Sequence, residues 1–490
     1  MNIPRLTVAG WAAPAAAALA LAGCSLAPPY QRPNFTTPVA YKETGPWTPA
    51  SPADAAPRGD WWAVYGDQTL NDLERQLEAG NPDLAMSLSR YDQARAYVTQ
   101  LRAAELPEVD LGGSSTNNGQ SEYFKRHISS TAATGSVANP AYDDDYVGAT
   151  ASYEFDIWGR VRNMVASGKA EAQASAADIA TIRLSLQAQL ADAYLNLRGL
   201  DAQSKLLADT TQAYARALKL TVDLHDGGAV AGLDVGRAET QLQTAEAQET
   251  DVAAQRALYE HEIASLVGQP ASTFSLAPVT TLPEPPHIPV AAPSVLLERR
   301  PDVAAAERRA AAANASIGVA RAALYPDITL NAMSGFESAG GVNLLQASTA
   351  MWTLGPSVSL PLFDYGKRKA MVRQAEAQFN QAGDAYRSTV LTAFQQVEDN
   401  LVLCNKLAVE ANQEALAVNA AQRTESLALA QYQLGAVTYL DVVFAQTADL
   451  EAERAALMIA TRRLQASVDL IRALGGGWTG LAPTKVAARG

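Results

Sequence analysis

The feature that most constrains the fold of this chain is an internal repeat. The octapeptide GAVAGLDV at residues 228–235 returns as GAVTYLDV at residues 435–442, at an offset of 207 residues. Earlier in the chain, residues 81–111 resemble residues 300–330 at an offset of 219. The difference of 12 residues arises within residues 107–159, and an insertion that leaves both flanks in register belongs in a loop. Two long blocks in register predict two copies of one structural unit.

Each copy ends in a long segment with helical periodicity. No proline occurs in residues 141–269 or 362–482, and apolar residues recur every three or four positions in both segments. This spacing, combined with many alanines, is typical of closely packed, coiled-coil-like helices. A continuous helix over residues 160–226 would be about 100 Å long at about 1.5 Å per residue, which is too long for a compact globule. A fibrous coiled-coil spacer would show the same pattern.

Four stretches of alternating apolar and polar residues argue against a simple spacer. The alternation is clearest at residues 146–157 and 352–362, and it is weaker at 108–116 and 327–337. Strands of about ten residues with one apolar face fit transmembrane β-strands, although an ordinary half-buried sheet would look similar. Four strands cannot close a barrel, and an open sheet edge cannot lie in lipid. Closure would therefore need several chains, and three copies would supply about 12 strands, an even number as in known barrels.

The N-terminus is typical of an exported lipoprotein. Residues 1–24 contain a short apolar stretch that ends in the sequence LAGC at residues 21–24. Small residues before a cysteine at this place favour removal of residues 1–23 and lipidation of Cys24, and Ser25 favours sorting to the outer membrane. An ordinary secretory signal with an incidental cysteine is the alternative.

Composition and motifs exclude several classes of function. The formal net charge of −13 argues against a nucleic-acid partner. The chain has no GxxxxGK[ST] loop for nucleotide phosphates, and its histidines lack the spacing of metal ligands (His127, His225, His261 and His287). We therefore expect no enzyme, no metal site and no cofactor beyond the covalent lipid. Cys404 occupies an apolar helical position and is expected to be a small core residue.

The repeated octapeptide is expected to form the bend of a helical hairpin in each copy. Gly228 and Gly435 follow long helical runs, where a glycine in the left-handed conformation commonly ends a helix. Asp234 and Asp441 then lie in the first turn of the returning helix, where a carboxylate is favourable. At the second bend, Thr438 and Asp441 have the spacing of a capping box.

Several motifs together make the chain similar to the outer-membrane efflux proteins, the TolC-like channels, and most closely to their lipoprotein branch typified by OprM. The resemblance covers essentially the whole mature chain and is carried by six stretches: CSLAPPYQRP (24–33), WWAVYGDQTLNDLERQLEAGNPDL (61–84), LLERRPDVAAAERRAAAANASIGVARAALYPDITL (296–330), LPLFDYGKR (360–368), GAVTYLDVVFAQ (435–446) and ALGGGW (473–478). It implies a membrane protein of the α+β class. Three chains would form a 12-stranded outer-membrane β-barrel, with four strands per protomer, continuous with a long periplasmic α-helical barrel.

The same resemblance implies a function. The homotrimer would be the outer-membrane channel of a tripartite efflux system, a passive exit duct for drugs and small toxic compounds. An inner-membrane RND pump would supply the energy, and a periplasmic adaptor protein would connect pump and duct. Metal-cation efflux and type I protein secretion are alternatives for the same duct. A structural coiled-coil envelope lipoprotein is the alternative from a different class.

The resemblance also implies that the periplasmic gate lies at the second bend. The family pattern has an aspartate at the place of Asp441 and a second acid three positions later, where this chain has Phe444. A leucine found in OprM-like members is present as Leu440. We therefore hypothesise that Leu440, Asp441 and Phe444 form the constriction, with Tyr439 nearby. Asp234, at the first bend, is expected to cap its helix or to face the adaptor.

These patterns divide the chain into five parts: a lipoprotein signal peptide (1–23), an extended N-terminal segment (24–66), a first repeat (67–285), a second repeat (286–478) and a C-terminal tail (479–490). Within the repeats we expect β-hairpins at about 108–157 and 327–362, hairpin loops outside the cell at about 119–145 and 338–350, and long helical hairpins at about 160–268 and 366–474.

Overall fold

The structure is a computed structural model that describes residues 25–34, 38, 40–43, 59–119, 141–286, 288, 300–338 and 344–476. The expected signal peptide, Cys24, the central parts of both hairpin loops and the C-terminal tail lie outside these residues.

The described part of the chain is mainly helical. Its α-helices are α1 (Gln68–Gly80), α2 (Pro82–Ala103), α3 (Arg160–Asp226), α4 (Gly232–Leu266), α5 (Pro301–Ala322), α6 (Lys367–Gln433) and α7 (Tyr439–Ala473). None of these helices is long and apolar enough to cross a membrane.

The helices show the duplication directly. α2 and α5 contain 22 residues each, α3 and α6 contain 67 each, and α4 and α7 contain 35 each. Both long helices of the second copy begin and end 207 residues after their counterparts, which is the offset seen in the sequence. The prediction of a repeated unit with a continuous helix of about 100 Å is confirmed.

Four strands form one antiparallel sheet in the order β1-β2-β3-β4. They are β1 (Glu108–Gly119), β2 (Ala141–Glu154), β3 (Asp327–Ser338) and β4 (Ala350–Ser359). The two hairpins meet where β2 pairs with β3, with Ala149 opposite Ser334 and Ala151 opposite Ala332. β1 and β4 are the edge strands of this sheet, so each has one side whose backbone groups pair with no other described strand.

Two strand boundaries differ from the sequence prediction. β2 begins at Ala141, so the acidic residues 143–145 lie in the strand and not in the loop. Asp143 is opposite Asn117, whose side-chain amide donates to its carboxylate at 2.6 Å. The prediction was wrong here because the apolar alternation stops at Tyr146 while backbone pairing continues through polar residues. β4 ends at Ser359, before Pro361, which has no N–H to donate to a partner strand.

The apolar faces of the edge strands are exposed. In β4, Trp352 is 77% exposed, and Leu354 and Val358 are also exposed. Leu111 of β1 is 82% exposed. Because an exposed row of large apolar side chains is rare on a water-soluble monomer, this face is suited to lipid.

By spatial contact the described chain divides into two compact units. The first contains the described residues within 25–33, 92–173 and 307–384, and it includes the whole sheet. The second contains the described residues within 34–91, 174–306 and 385–476. Each unit contains parts of both sequence repeats, so the repeats are not separate globular domains.

The second unit contains two extensive hydrophobic clusters. Trp61, Trp62 and Tyr65 pack with leucines of α1 and with residues of α3, α4 and α7. A second cluster includes Tyr386, and the half-buried Cys404 packs against this cluster. Burial raises the pKa of the Cys404 thiol to about 11. The expectation that Cys404 is a small residue packed against the core agrees with this position.

Charged side chains of the second unit hold the extended segment that joins the two copies. Arg198 of α3 donates to the carbonyl oxygen of Val279 at 3.1 Å, and the Asp201 carboxylate accepts from the Val279 N–H at 2.8 Å. Arg256 of α4 donates to the carbonyl oxygen of Leu276 at 2.7 Å and pairs with Asp201. These helices therefore satisfy backbone groups for which the segment has no strand partner.

Candidate functional site

The two helical bends share one backbone geometry. Gly228 has a φ of 75° and Gly435 a φ of 71°, both in the left-handed region that favours glycine. The N–H of Gly228 donates to the carbonyl of His225 at 2.8 Å, and the N–H of Gly435 donates to that of Tyr432 at 2.9 Å. In both bends the next residue bonds to the carbonyl five positions back, as in a Schellman motif. The structure thus places each repeated glycine at the end of a 67-residue helix.

The returning helices begin differently in the two copies. At the second bend, one carboxylate oxygen of Asp441 accepts from the Thr438 N–H at 3.0 Å and from the Thr438 hydroxyl at 2.7 Å. The corresponding N-cap of α4 is Ala231, which has no polar side chain, and Asp234 pairs instead with Arg237 at 3.1 Å. The capping interaction expected from the Thr438–Asp441 spacing is therefore present at the second bend alone.

Asp441 remains exposed and charged. The hydrogen bond from the Thr438 hydroxyl, followed by that from the Thr438 N–H, lowers the pKa of Asp441 below its ordinary value. Both donors favour the ionised carboxylate. A fixed negative charge therefore lies on the surface at the start of α7.

Asp441 and Phe444 line one groove between α6 and α7, with a volume of about 470 Å³. Phe444 is 66% exposed. The facing wall comes from α6 and from the bend, through Thr424, Leu427, Ala428, Gln431 and Val437. The groove therefore joins an anionic group with exposed apolar side chains.

The other two candidate gate residues, Tyr439 and Leu440, do not line this groove. Tyr439 is almost fully buried, with its ring 5.2 Å from that of Tyr432, in a cluster that includes Val442. Tyr439 therefore supports the hairpin from its core and does not share the groove with Asp441. Leu440 is partly exposed and does not line this groove.

Sequence reasoning missed the α6 wall of the groove, in particular Leu427 and Gln431. A signal was available, because residues equally far from a bend face each other in an antiparallel hairpin. Leu427 and Phe444 lie at nearly equal distances on either side of the second bend, as do Gln431 and Asp441. The mirrored position of Leu427 therefore predicts that this leucine faces Phe444 across the hairpin.

The described residues offer no further chemistry at this groove. No group of three or more His, Cys, Asp or Glu side chains among them could hold a metal ion. His225 lies at the first bend, where its Nδ1 is 3.0 Å from the carbonyl oxygen of Val230. The arrangement at the second bend is suited to forming a charged and apolar aperture.

Comparison with known proteins agrees with the architecture. The family model described as outer membrane efflux protein matches residues 73–269 and 292–476, one segment in each repeat. OprJ of Pseudomonas aeruginosa is 32% identical over 464 residues, which cover 94% of each chain. The pyoverdine export outer membrane protein OpmQ of the same species is 30% identical over 470 residues, covering 94% of this chain and 96% of OpmQ. The solved structure of the outer-membrane channel OprN superposes with a TM-score of 0.81 at 29% identity, covering 93% of this chain and all of OprN.

Proposed function

Because the chain belongs to the outer membrane efflux protein family and is an outer-membrane efflux protein, we propose that three copies of it form one exit duct. The duct is passive and receives its cargo from an inner-membrane RND pump through a periplasmic adaptor protein. Drugs and small toxic compounds are the proposed cargo. The names of the relatives, which include a pyoverdine exporter, support export of small molecules.

The observation that supports a trimer is the open four-stranded sheet. β1 and β4 are the two edges of a four-stranded sheet whose apolar face is exposed. Unpaired backbone groups are too costly to leave in hydrocarbon, so β1 of one chain must pair with β4 of another. Three chains supply about 12 strands, which is within the range of known barrels. A coiled-coil spacer would need no such sheet.

We assign the gate to the second bend, with Asp441 and Phe444 at its centre and Leu440 beside them. Threefold symmetry would bring three copies of each side chain around one axis. Three Asp441 carboxylates would repel one another and attract cations, while Phe444 and Leu440 would narrow the aperture. Tyr439 would hold α7 in place from the core.

We also propose that Cys24 carries the lipid. The Ser25 hydroxyl donates to the Asn163 side-chain oxygen at 3.0 Å, and Asn163 lies in the first turn of α3, which follows β2. The Asn314 amide also donates to the carbonyl oxygen of Pro28 at 2.9 Å. These contacts hold the start of the mature chain near the end of the sheet, where acyl chains on Cys24 would reach the membrane.

Single-channel recording in planar bilayers tests the gate and the duct together. Phe444→Ala and Leu440→Ala should raise the conductance or shorten the closed periods. Leu233→Ala is the matched control, since Leu233 is the exposed counterpart of Leu440 at the first bend. Channels that conduct equally in all four proteins would contradict the gate, and a chain that forms no channel at all would contradict the duct.

A further inference from the structure

The junction between β4 and α6 presents an aromatic surface that the efflux function does not use. Leu362, Phe363 and Tyr365 follow the apolar row of β4, and each is at least 86% exposed. The rings of Phe363 and Tyr365 lie 6.4 Å apart in an edge-to-face arrangement. The exposed apolar face of the sheet therefore continues into the turn that leads to the helix.

The backbone of this turn holds Tyr365 in an unusual conformation. Tyr365 has a φ of 55°, and among the described residues it is the one non-glycine with a positive φ. The Asp364 carboxylate accepts from the Gly366 N–H at 3.0 Å and from Arg368 Nε at 2.7 Å. A bulky residue in the left-handed region is strained and persists where its surroundings impose it. The turn therefore presents the Tyr365 ring to the outside at a conformational cost.

Two lysines lie directly after this turn, in the first turn of α6. Lys367 and Lys369 are exposed, and neither pairs with a carboxylate of the described residues. Positive charges in the first turn of a helix oppose the helix dipole. Asp364, the acid of this turn, pairs with Arg368 and neutralises that charge, so Lys367 and Lys369 are left as two net positive charges, which points to a negative partner outside the chain.

The first copy shows how this charge can be neutralised internally. Trp158 and Arg160 are the counterparts of Tyr365 and Lys367, at the same offset of 207 residues. Arg160 pairs with Glu154, and Arg162 pairs with Asp156 at 3.2 Å. In the first copy, therefore, both cations at the start of the helix have acidic partners.

The second copy has lost both acids. Pro361 stands at the position that corresponds to Glu154, and Phe363 at the one that corresponds to Asp156. Lys367 and Lys369 keep the positive charges of their counterparts. The second copy thus combines two uncompensated cations with exposed aromatic rings.

We propose that this surface, residues 362–369, binds the headgroups of anionic phospholipids in the leaflet that borders the helical end of the sheet. The surface is continuous with the lipid-facing row of β4, so it lies at the level of the headgroups. Aromatic rings are enriched at this depth, and lysine side chains can extend their ammonium groups to phosphates there. The inference rests on the outer-membrane duct proposed above.

Fluorescence quenching by brominated lipids measures the preference directly. The full-length protein is reconstituted into dioleoylphosphatidylcholine vesicles, into which brominated phosphatidylglycerol or brominated phosphatidylcholine is titrated. Each protein is also made with Leu362→Trp, which places a reporter in the proposed surface, because Leu362 is 91% exposed and Trp352 lies at the opposite end of β4. The quenching of this reporter is the difference from the same protein with Leu362 retained. The wild type should be quenched at lower fractions of phosphatidylglycerol. Lys367→Gln/Lys369→Gln should lower the preference by about fivefold per lysine at low ionic strength.

The matched control is Lys219→Gln/Lys406→Gln, which removes the same charge from exposed positions farther along α3 and α6. Its lipid preference should equal that of the wild type. Equal quenching of the wild type by both lipids, or an equal loss in the control, would overturn the proposal. A variant that assembles poorly but keeps its lipid preference would show that the surface contacts a neighbouring chain, and it would also overturn the proposal. Conductance of the same vesicles tests the duct separately.

Discussion

Glu74 of α1 carries a carboxyl group that is enclosed in the second unit without a partner. Its side chain is fully buried, and neither carboxylate oxygen forms a hydrogen bond with the described residues. Burial, reinforced by the nearby negative charges of Glu78 and Asp60, raises the pKa of Glu74 from 4.5 to about 9. The folded protein therefore holds Glu74 in its protonated, neutral form at neutral pH.

The sign of the pH dependence follows from this shift. Between pH 4.5 and about 9 the folded state holds a proton on Glu74 that the unfolded state has released. This group's contribution to the free energy of unfolding is therefore greatest below pH 4.5 and falls by about 1.4 kcal/mol per pH unit through this window. Glu74→Gln and Glu74→Leu remove the titrating group. Their stability relative to wild type should therefore rise by about 4 kcal/mol per chain between about pH 5 and pH 8.

Guanidinium unfolding of the protein in detergent, followed by the helical circular dichroism signal, measures this difference. The glutamine variant buries an amide and the leucine variant buries a larger apolar group. At any one pH, therefore, their free energies of unfolding will differ from that of the wild type by different amounts. The difference in free energy of unfolding between variant and wild type should increase with pH by the same amount for both variants. A difference that stays constant from about pH 5 to pH 8 would show that Glu74 is charged in the folded protein, and it would refute the reasoning.

Three further predictions concern the bend, the gate charge and the sheet. Gly435→Ala forces a residue with a side chain into the left-handed conformation and should lower the free energy of unfolding by about 1–2 kcal/mol. The control Gly236→Ala lies within a helix, with open space around it, and should be neutral or stabilising. Denaturant midpoints of the two variants and the wild type measure the difference. Thr438→Val removes the hydroxyl that donates to Asp441 and should raise the pKa of that carboxylate. As the pH is lowered, the channel should therefore lose its cation selectivity at a higher pH than the wild type does. An unchanged pH profile of selectivity would contradict this prediction. Gly148→Val should block assembly, because a Cβ at Gly148 would lie 2.8 Å from the Ser334 carbonyl oxygen and 2.9 Å from Gly335 Cα. The control Gly112→Ala has open space at its Cβ and should assemble normally. Migration of unheated samples on a gel distinguishes assembled from unassembled protein.

Elements with a strong period were predictable from the sequence. The long helices and the duplication were found because their patterns extend over many turns and occur twice. The start of β2 was misplaced because residues 143–145 are acidic, and strand pairing beyond an apolar band leaves no periodic signal. The division into two units could not be read from the repeat, since spatial contact joins segments of both copies.

The candidate gate was predictable in part. The left-handed glycines and the Thr438–Asp441 interaction follow from local rules of helix ends. The burial of Tyr439 follows from its spacing with Val442 and Gln446, which are also buried, so the helical period could have placed it on the core face. By contrast, the hydrogen bond between Ser25 and Asn163 joins residues 138 positions apart, and no local pattern indicates it.

The central claim, that three chains close one barrel, is tested most directly by cross-linking the sheet edges. Cysteines are placed at Leu111 of β1 and, in separate variants, at Trp352, Leu354 and Val358 of β4, with Cys404 replaced by alanine. At least one pair should give covalent dimers and trimers under oxidising conditions, with no larger species, while each single cysteine variant gives no trimer. A ladder that continues beyond three chains, or no cross-linked product from any pair, would contradict the account.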